Sequence, residues 1–180
     1  SLRLRKLILP RADMTDEGLL YLANMPLREL ELCSLNQFTN RGLAVLQTLN
    51  QLTHLSLPYA SVEVLKHLSK LPLTYLNVFS WGLTDEGLSY LPLTLIELRM
   101  SGSRITDKGL FSSRGLERFV GKNLRKLALH NMPISDEILV ILERLKLETL
   151  EISGKCKITR VQHQALQKSC PDTEIVLCLY

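Results

Sequence analysis

The chain has 180 residues, with 22 basic and 18 acidic side chains, a formal net charge of +4, and only 6% aromatics. That length supports one domain with a sizeable core, and so mild a charge gives no ground for a nucleic-acid or membrane partner. No run of about 18 apolar residues occurs, and Arg3, Arg5 and Lys6 interrupt the opening apolar positions, so neither a spanning helix nor a signal peptide is expected.

Leucine fills 41 positions, and its spacing carries the fold. The pattern L-x-x-L-x-L appears first at Leu4, Leu7 and Leu9, then at Leu27, Leu30 and Leu32, and at Leu52, Leu55 and Leu57. It continues at Leu73, Leu76 and Val78, at Leu95, Leu98 and Met100, at Leu124, Leu127 and Leu129, and at Leu147, Leu150 and Ile152. Asp172, Ile175 and Leu177 form a degenerate eighth rung. Successive rungs start 23, 25, 21, 22, 29, 23 and 25 residues apart, a period typical of repeat architectures.

Between rungs a second segment recurs. Thr15-Asp16-Glu17-Gly18-Leu19 is echoed at Thr39–Leu43, Thr84–Leu88 and Thr106–Leu110, and more loosely from Ser135 and Thr159. It reads as a helix start: the hydroxyl residue caps, and the acidic side chains complement the positive end of the helix dipole. Thr159 and Gln162 have capping-box spacing. Each unit is therefore a strand, a turn and a short helix. No unit can bury its apolar faces alone, so stacking is expected to build a right-handed horseshoe with a parallel sheet on the concave wall and helices outside.

Two units break the period. The third lacks the T-D-x-G segment, which predicts a tighter turn after its strand. The fifth carries extra residues within Phe111–Arg118, expected to form a surface loop. The segment Glu174–Tyr180 predicts a capping strand, whereas no polar cap precedes Leu4. A bare apolar end predicts either that the chain is a piece of a longer protein, or self-association or an adjoining domain at its first unit.

These rungs and T-D-x-G-L segments resemble leucine-rich-repeat proteins over essentially the whole chain, residues 1–180 as one domain. The T-D-E-G-L segment is similar to the repeats of F-box/leucine-rich-repeat substrate receptors and GALA-type bacterial effectors. The resemblance implies an α/β leucine-rich-repeat solenoid and a recognition role. It extends to the substrate-recognition part of a ubiquitin-ligase adaptor whose F-box lies outside these residues, or to a secreted effector. A structural assembly subunit is a further alternative.

Strand alternation points the third, fifth and seventh residues of each rung to the concave face. His54, Pro58, Tyr59, Tyr75 and Phe79 then gather in the middle of the wall, with Glu29 and Glu31 on one flank and Arg99 and Lys126 on the other. Exposed aromatics mark binding hot spots, so the candidate site for a protein or peptide ligand is Glu31, His54, Pro58, Tyr59, Tyr75, Phe79, Arg99, Lys126 and His130. Trp81 is expected to fill the core. Catalysis is not expected: Cys33 and His54 fall at different rung positions, roughly 13 Å apart along the strands, and no orienting third group is evident. Arg3, Arg5, Lys6 and Arg11 make no continuous basic track, because Glu29 and Glu31 follow, so no nucleic acid is expected. No cofactor or metal site is expected. Cys33, Cys156, Cys170 and Cys178 contain no C-x-x-C and read as buried, reduced thiols, with a Cys170–Cys178 bridge as the local alternative. Reduced thiols favour a cytoplasmic location, or the host cytoplasm for an effector.

Overall fold

The structure, a computed structural model, describes residues 4–9, 15–32, 38–57, 59–79, 83–101, 104–133, 135–154 and 158–179. Each aliphatic rung forms one short strand: β1 (Lys6–Leu9), β2 (Glu29–Leu32), β3 (His54–Leu57), β4 (Tyr75–Phe79), β5 (Glu97–Ser101), β6 (Lys126–His130), β7 (Thr149–Gly154) and β8 (Glu174–Leu179). The eight strands lie in sequence order in one parallel sheet. The helices α1 (Asp16–Leu20), α2 (Asn40–Leu43), α3 (Val62–Leu68), α4 (Asp85–Leu88), α5 (Asp107–Phe111), α6 (Leu139–Leu145) and α7 (Arg160–Ser169) return the chain outside it. The degenerate eighth rung is a full strand, paired in register with β7.

Register explains the cohesion. Leu30, Leu55, Leu76, Leu98, Leu127 and Leu150 stand opposite one another from strand to strand, each 2% exposed or less. Burying one leucine side chain is worth about 1.5–3 kcal/mol, so this row and the helical leucines behind it hold the coils together. At the two ends the seal is partial: Leu4, Leu7, Leu9, Ile175 and Leu177 are half-buried.

The T-D-x-G-L segment does more than cap its own helix. Asp16 accepts hydrogen bonds from the Thr39 N–H (2.8 Å) and hydroxyl in the next coil. Asp85 does the same for Thr106, at 2.8 and 2.7 Å. Asp107 accepts from the Ser135 N–H at 3.0 Å, and Asp136 from the Gln162 amide. The aspartates thus staple consecutive coils, a job beyond the dipole role expected of them. The glycine follows from the staple, because a Cβ on Gly42 or Gly109 would overlap the carboxylate of Asp16 or Asp85. Thr39, Thr106, Ser135 and Thr159 cap as expected, Thr159 within a capping box, and Ser61 caps the third helix as well; Thr15 and Thr84 make no side-chain cap. The ladder breaks once in the middle: Val62 occupies the aspartate position, and the Thr84 hydroxyl makes no hydrogen bond among the described residues.

Hydrogen bonds from the Thr39 hydroxyl and N–H hold the Asp16 carboxyl below its ordinary value. A carboxyl lowered on folding contributes stability above its unfolded pKa and loses it as pH falls through the folded value. The stability difference between the native chain and Asp16→Asn should therefore be full above pH about 5 and shrink on acidification below about 4. Urea unfolding across that range checks it.

Two expectations are corrected. The extra residues of the fifth unit are not only a surface loop: Phe111, Ser113 and Arg114 are exposed, but a 3-10 turn, Leu116–Phe119, packs Leu116 and Phe119 into the core. Cys170 is half-buried and Cys178 exposed, both free, because they lie in the thinly covered last coil. Four residues separate β3 from α3 against five between β4 and α4; Pro58 and residues 80–82 in these connections lie outside the described residues. Trp81, Cys33 and Cys156 lie outside the described residues.

Candidate functional site

Three cross-strand rows cover the concave wall. The first runs Lys6, Glu29, His54, Tyr75, Glu97, Lys126, Thr149 and Glu174. The second runs Ile8, Glu31, Ser56, Asn77, Arg99, Ala128, Glu151 and Val176. The third, from β4 onward, runs Phe79, Ser101, His130, Ser153 and Cys178. Because every strand is in register, each residue's neighbours lie one strand spacing away, about 4.8 Å.

The rows divide into two halves of different character. Over β1 to β4 the wall forms a shallow trough of about 210 Å³, lined by Lys6, Ile8, Glu29, Glu31, His54, Ser56 and Tyr75 together with Leu7, Leu30 and Leu55. The His54 and Tyr75 rings stack with centroids 5.7 Å apart and planes 19° from parallel. The Thr53 hydroxyl lies 2.9 Å from His54 Nδ1 and steadies the imidazole. Burial pushes the Tyr75 phenol's pKa up, so the ring stays neutral. Lys6 and Glu29 pair at 2.7 Å, which raises the lysine and lowers the carboxyl. Ile8, 46% exposed, supplies open apolar surface at the end of the second row.

Over β5 to β7 the wall is an ion-pair network. Arg99 holds Glu97 at 2.7 Å on its own strand and reaches Glu151 at 3.6 Å across Ala128. Its guanidinium is thereby driven further up from its ordinary value. Beneath this bridge Ala128 is buried, although alternation alone places it on the open face. His130 Nδ1 lies 2.6 Å from the Ser153 hydroxyl, and its Nε2 lies 3.8 Å from Glu151.

The candidate residues accordingly separate. Glu31, His54 and Tyr75 come together in the trough. Arg99 and His130 belong to the network, and Arg99 is not the free positive flank expected of it, because two carboxylates reach it first. Lys126 is exposed beside that network. Tyr59 (43% exposed) and Phe79 (47%) do not line the trough; Phe79 heads the third row at the end of β4, and Tyr59 follows β3. Pro58 lies outside the described residues. Glu29, expected as part of the acidic flank, lines the trough, and Lys6, Ile8 and Ser56, concave by strand alternation, complete it.

A second recess of about 430 Å³ lies at the other end, lined by Arg125, Glu143, Lys146, Glu148, Cys170 and Asp172 among others. Its charges are mixed in sign, and burial and the Glu143 carboxylate push the Cys170 thiol up, away from nucleophilic use. Among the described residues no group of three or more His, Cys, Asp or Glu side chains could hold a metal ion. No helix among them is long and apolar enough to cross a membrane.

A family model described as "Leucine Rich repeat" matches residues 93–112, which contain β5 and α5. No match to a curated protein was found. Among solved structures, an internalin (InlF) from Listeria monocytogenes superposes with a TM-score of 0.60 at 15% identity, over 98% of this chain and 63% of that one. A leucine-rich-repeat protein of Leptospira interrogans gives a TM-score of 0.47 at 20% identity, over 95% of this chain and 60% of that one. The chain thus spans less than two thirds of the length of either. The recurring rungs, the eight strands in register and the architecture shared with the internalin make this chain a solenoid of the leucine-rich-repeat fold.

Proposed function

We propose that the chain is a non-catalytic recognition scaffold that binds a protein or peptide segment in the trough over β1 to β4. The observation that carries this reading is the His54–Tyr75 stack in a trough that open Ile8 also lines, on a rigid sheet face. A stacked aromatic pair on a preordered backbone loses little freedom on binding, which is the condition for a hot spot. At about 210 Å³ the trough is smaller than the roughly 300–1,000 Å³ of sites that enclose small molecules, and it suits side chains presented by a partner. The adaptor and effector roles rest on the T-D-E-G-L resemblance alone.

Peptides selected from a random display library on the native chain should lose about tenfold or more in affinity for Tyr75→Ala, as truncation of an aromatic hot spot does. Calorimetry measures the affinity and circular dichroism the fold. Unchanged affinity in a folded Tyr75→Ala chain would overturn the reading.

A further inference from the structure

We infer that the trough takes a cationic side chain, arginine above lysine, from its peptide partner, with Glu31 as the anchoring carboxylate; this rests on the recognition role proposed above. The argument is one of charge complementarity. Of the half-buried concave carboxylates, Glu29 is held by Lys6 at 2.7 Å, Glu97 by Arg99 at 2.7 Å, and Glu151 by Arg99 at 3.6 Å. Glu31 is half-buried too, yet it forms no ion pair or hydrogen bond with another described residue. Its field reaches Lys6 on one side and Tyr75 on the other, since it contributes to raising both. A half-buried carboxylate that no described cation contacts directly is open to an incoming one, and a charge-assisted pair there adds affinity.

The surroundings favour the guanidinium. Ile8 borders Glu31 in its row, and the stacked rings of His54 and Tyr75 line the same trough, so apolar surface is offered to a long side-chain stem and a flat head. Arginine alone combines a planar face for such surface with paired N–H donors for a carboxylate. An acidic peptide meets repulsion from Glu31, and a wholly apolar one strands it, so the same group selects by exclusion.

The test selects random peptides displayed on phage against the full chain and, separately, against Glu31→Gln. Native selection should enrich arginine beside an apolar residue. The best peptide, resynthesised with citrulline in place of that arginine, should bind the native chain about tenfold or more weakly and Glu31→Gln with unchanged affinity, the signature of a direct pair. Thermal melting confirms that Glu31→Gln folds. Enriched peptides that lack a cation yet lose binding with Tyr75→Ala overturn the arginine assignment and leave the recognition role standing. Peptides indifferent to both substitutions, or no enrichment at all, overturn both.

Discussion

Phe119→Ala should lower the unfolding free energy by about 3–5 kcal/mol, the usual cost of emptying a buried phenylalanine site. Phe119 is 1% exposed and, with Leu116, anchors the extra turn of the fifth unit. That turn also binds its neighbours through polar contacts. Arg118 donates to the carbonyls of Leu88 (3.0 Å), Ser89 (2.8 Å) and Leu91 (3.4 Å), closing the otherwise open end of α4. Glu117 and Arg144 meet at 2.7 Å, tying the turn to α6. Gly115 permits the approach, because a Cβ there would overlap the Gly109 carbonyl. Units in a solenoid contact only their neighbours, so the loss should fall on the fourth to sixth coils, and peptide affinity at the β1–β4 trough should be unchanged below the melting range. Urea unfolding measures the first quantity and calorimetry the second. A loss under about 1 kcal/mol would return the segment to the status of a surface loop.

The strand ladder was legible because its information is local: an aliphatic residue at fixed rung positions and two-residue alternation decide which side chain faces inward. Register then brought His54 beside Tyr75, both at the third rung position, and this contact is present. What alternation cannot give is side-chain reach. Arg99 is a concave residue as expected, but it turns to Glu97 along its own strand and spans Ala128 to Glu151, so the positive flank it promised is neutralised. The extra residues of the fifth unit were visible as a longer step, and the step says nothing of where they go; the three-residue spacing of Leu116 and Phe119 was the one local hint of a buried helical turn. The aspartates carried two compatible meanings, dipole and staple, and only the neighbouring coil distinguishes them.

The staple yields the second large effect. Gly109→Ala should destabilise the chain by about 2–4 kcal/mol, somewhat below the roughly 3–6 kcal/mol of two hydrogen bonds to a charged group because both are exposed to solvent. The added methyl would occupy the position of the Asp85 carboxylate, driving it off the Thr106 N–H and hydroxyl. Gly87→Ala provides the internal contrast. It sits at the same place in its unit, but Val62 stands where the aspartate would be, and the nearest obstacle is the end of an aliphatic side chain, a Leu83 methyl at 2.6 Å, which makes no hydrogen bond to lose. Alanine also favours helix over glycine by about 0.5–1 kcal/mol, so Gly87→Ala should change stability by less than about 1 kcal/mol in either direction. The cause is separable by a cycle: once Asp85→Ala has removed the staple, Gly109→Ala should cost almost nothing more. Val62→Asp should act in the opposite sense, because it supplies the missing carboxylate above an existing glycine and a Thr84 hydroxyl that bonds no described residue, and should raise the urea midpoint. Equal losses from Gly109→Ala and Gly87→Ala would mean that glycine serves close helix packing throughout and that the aspartate ladder does not select it.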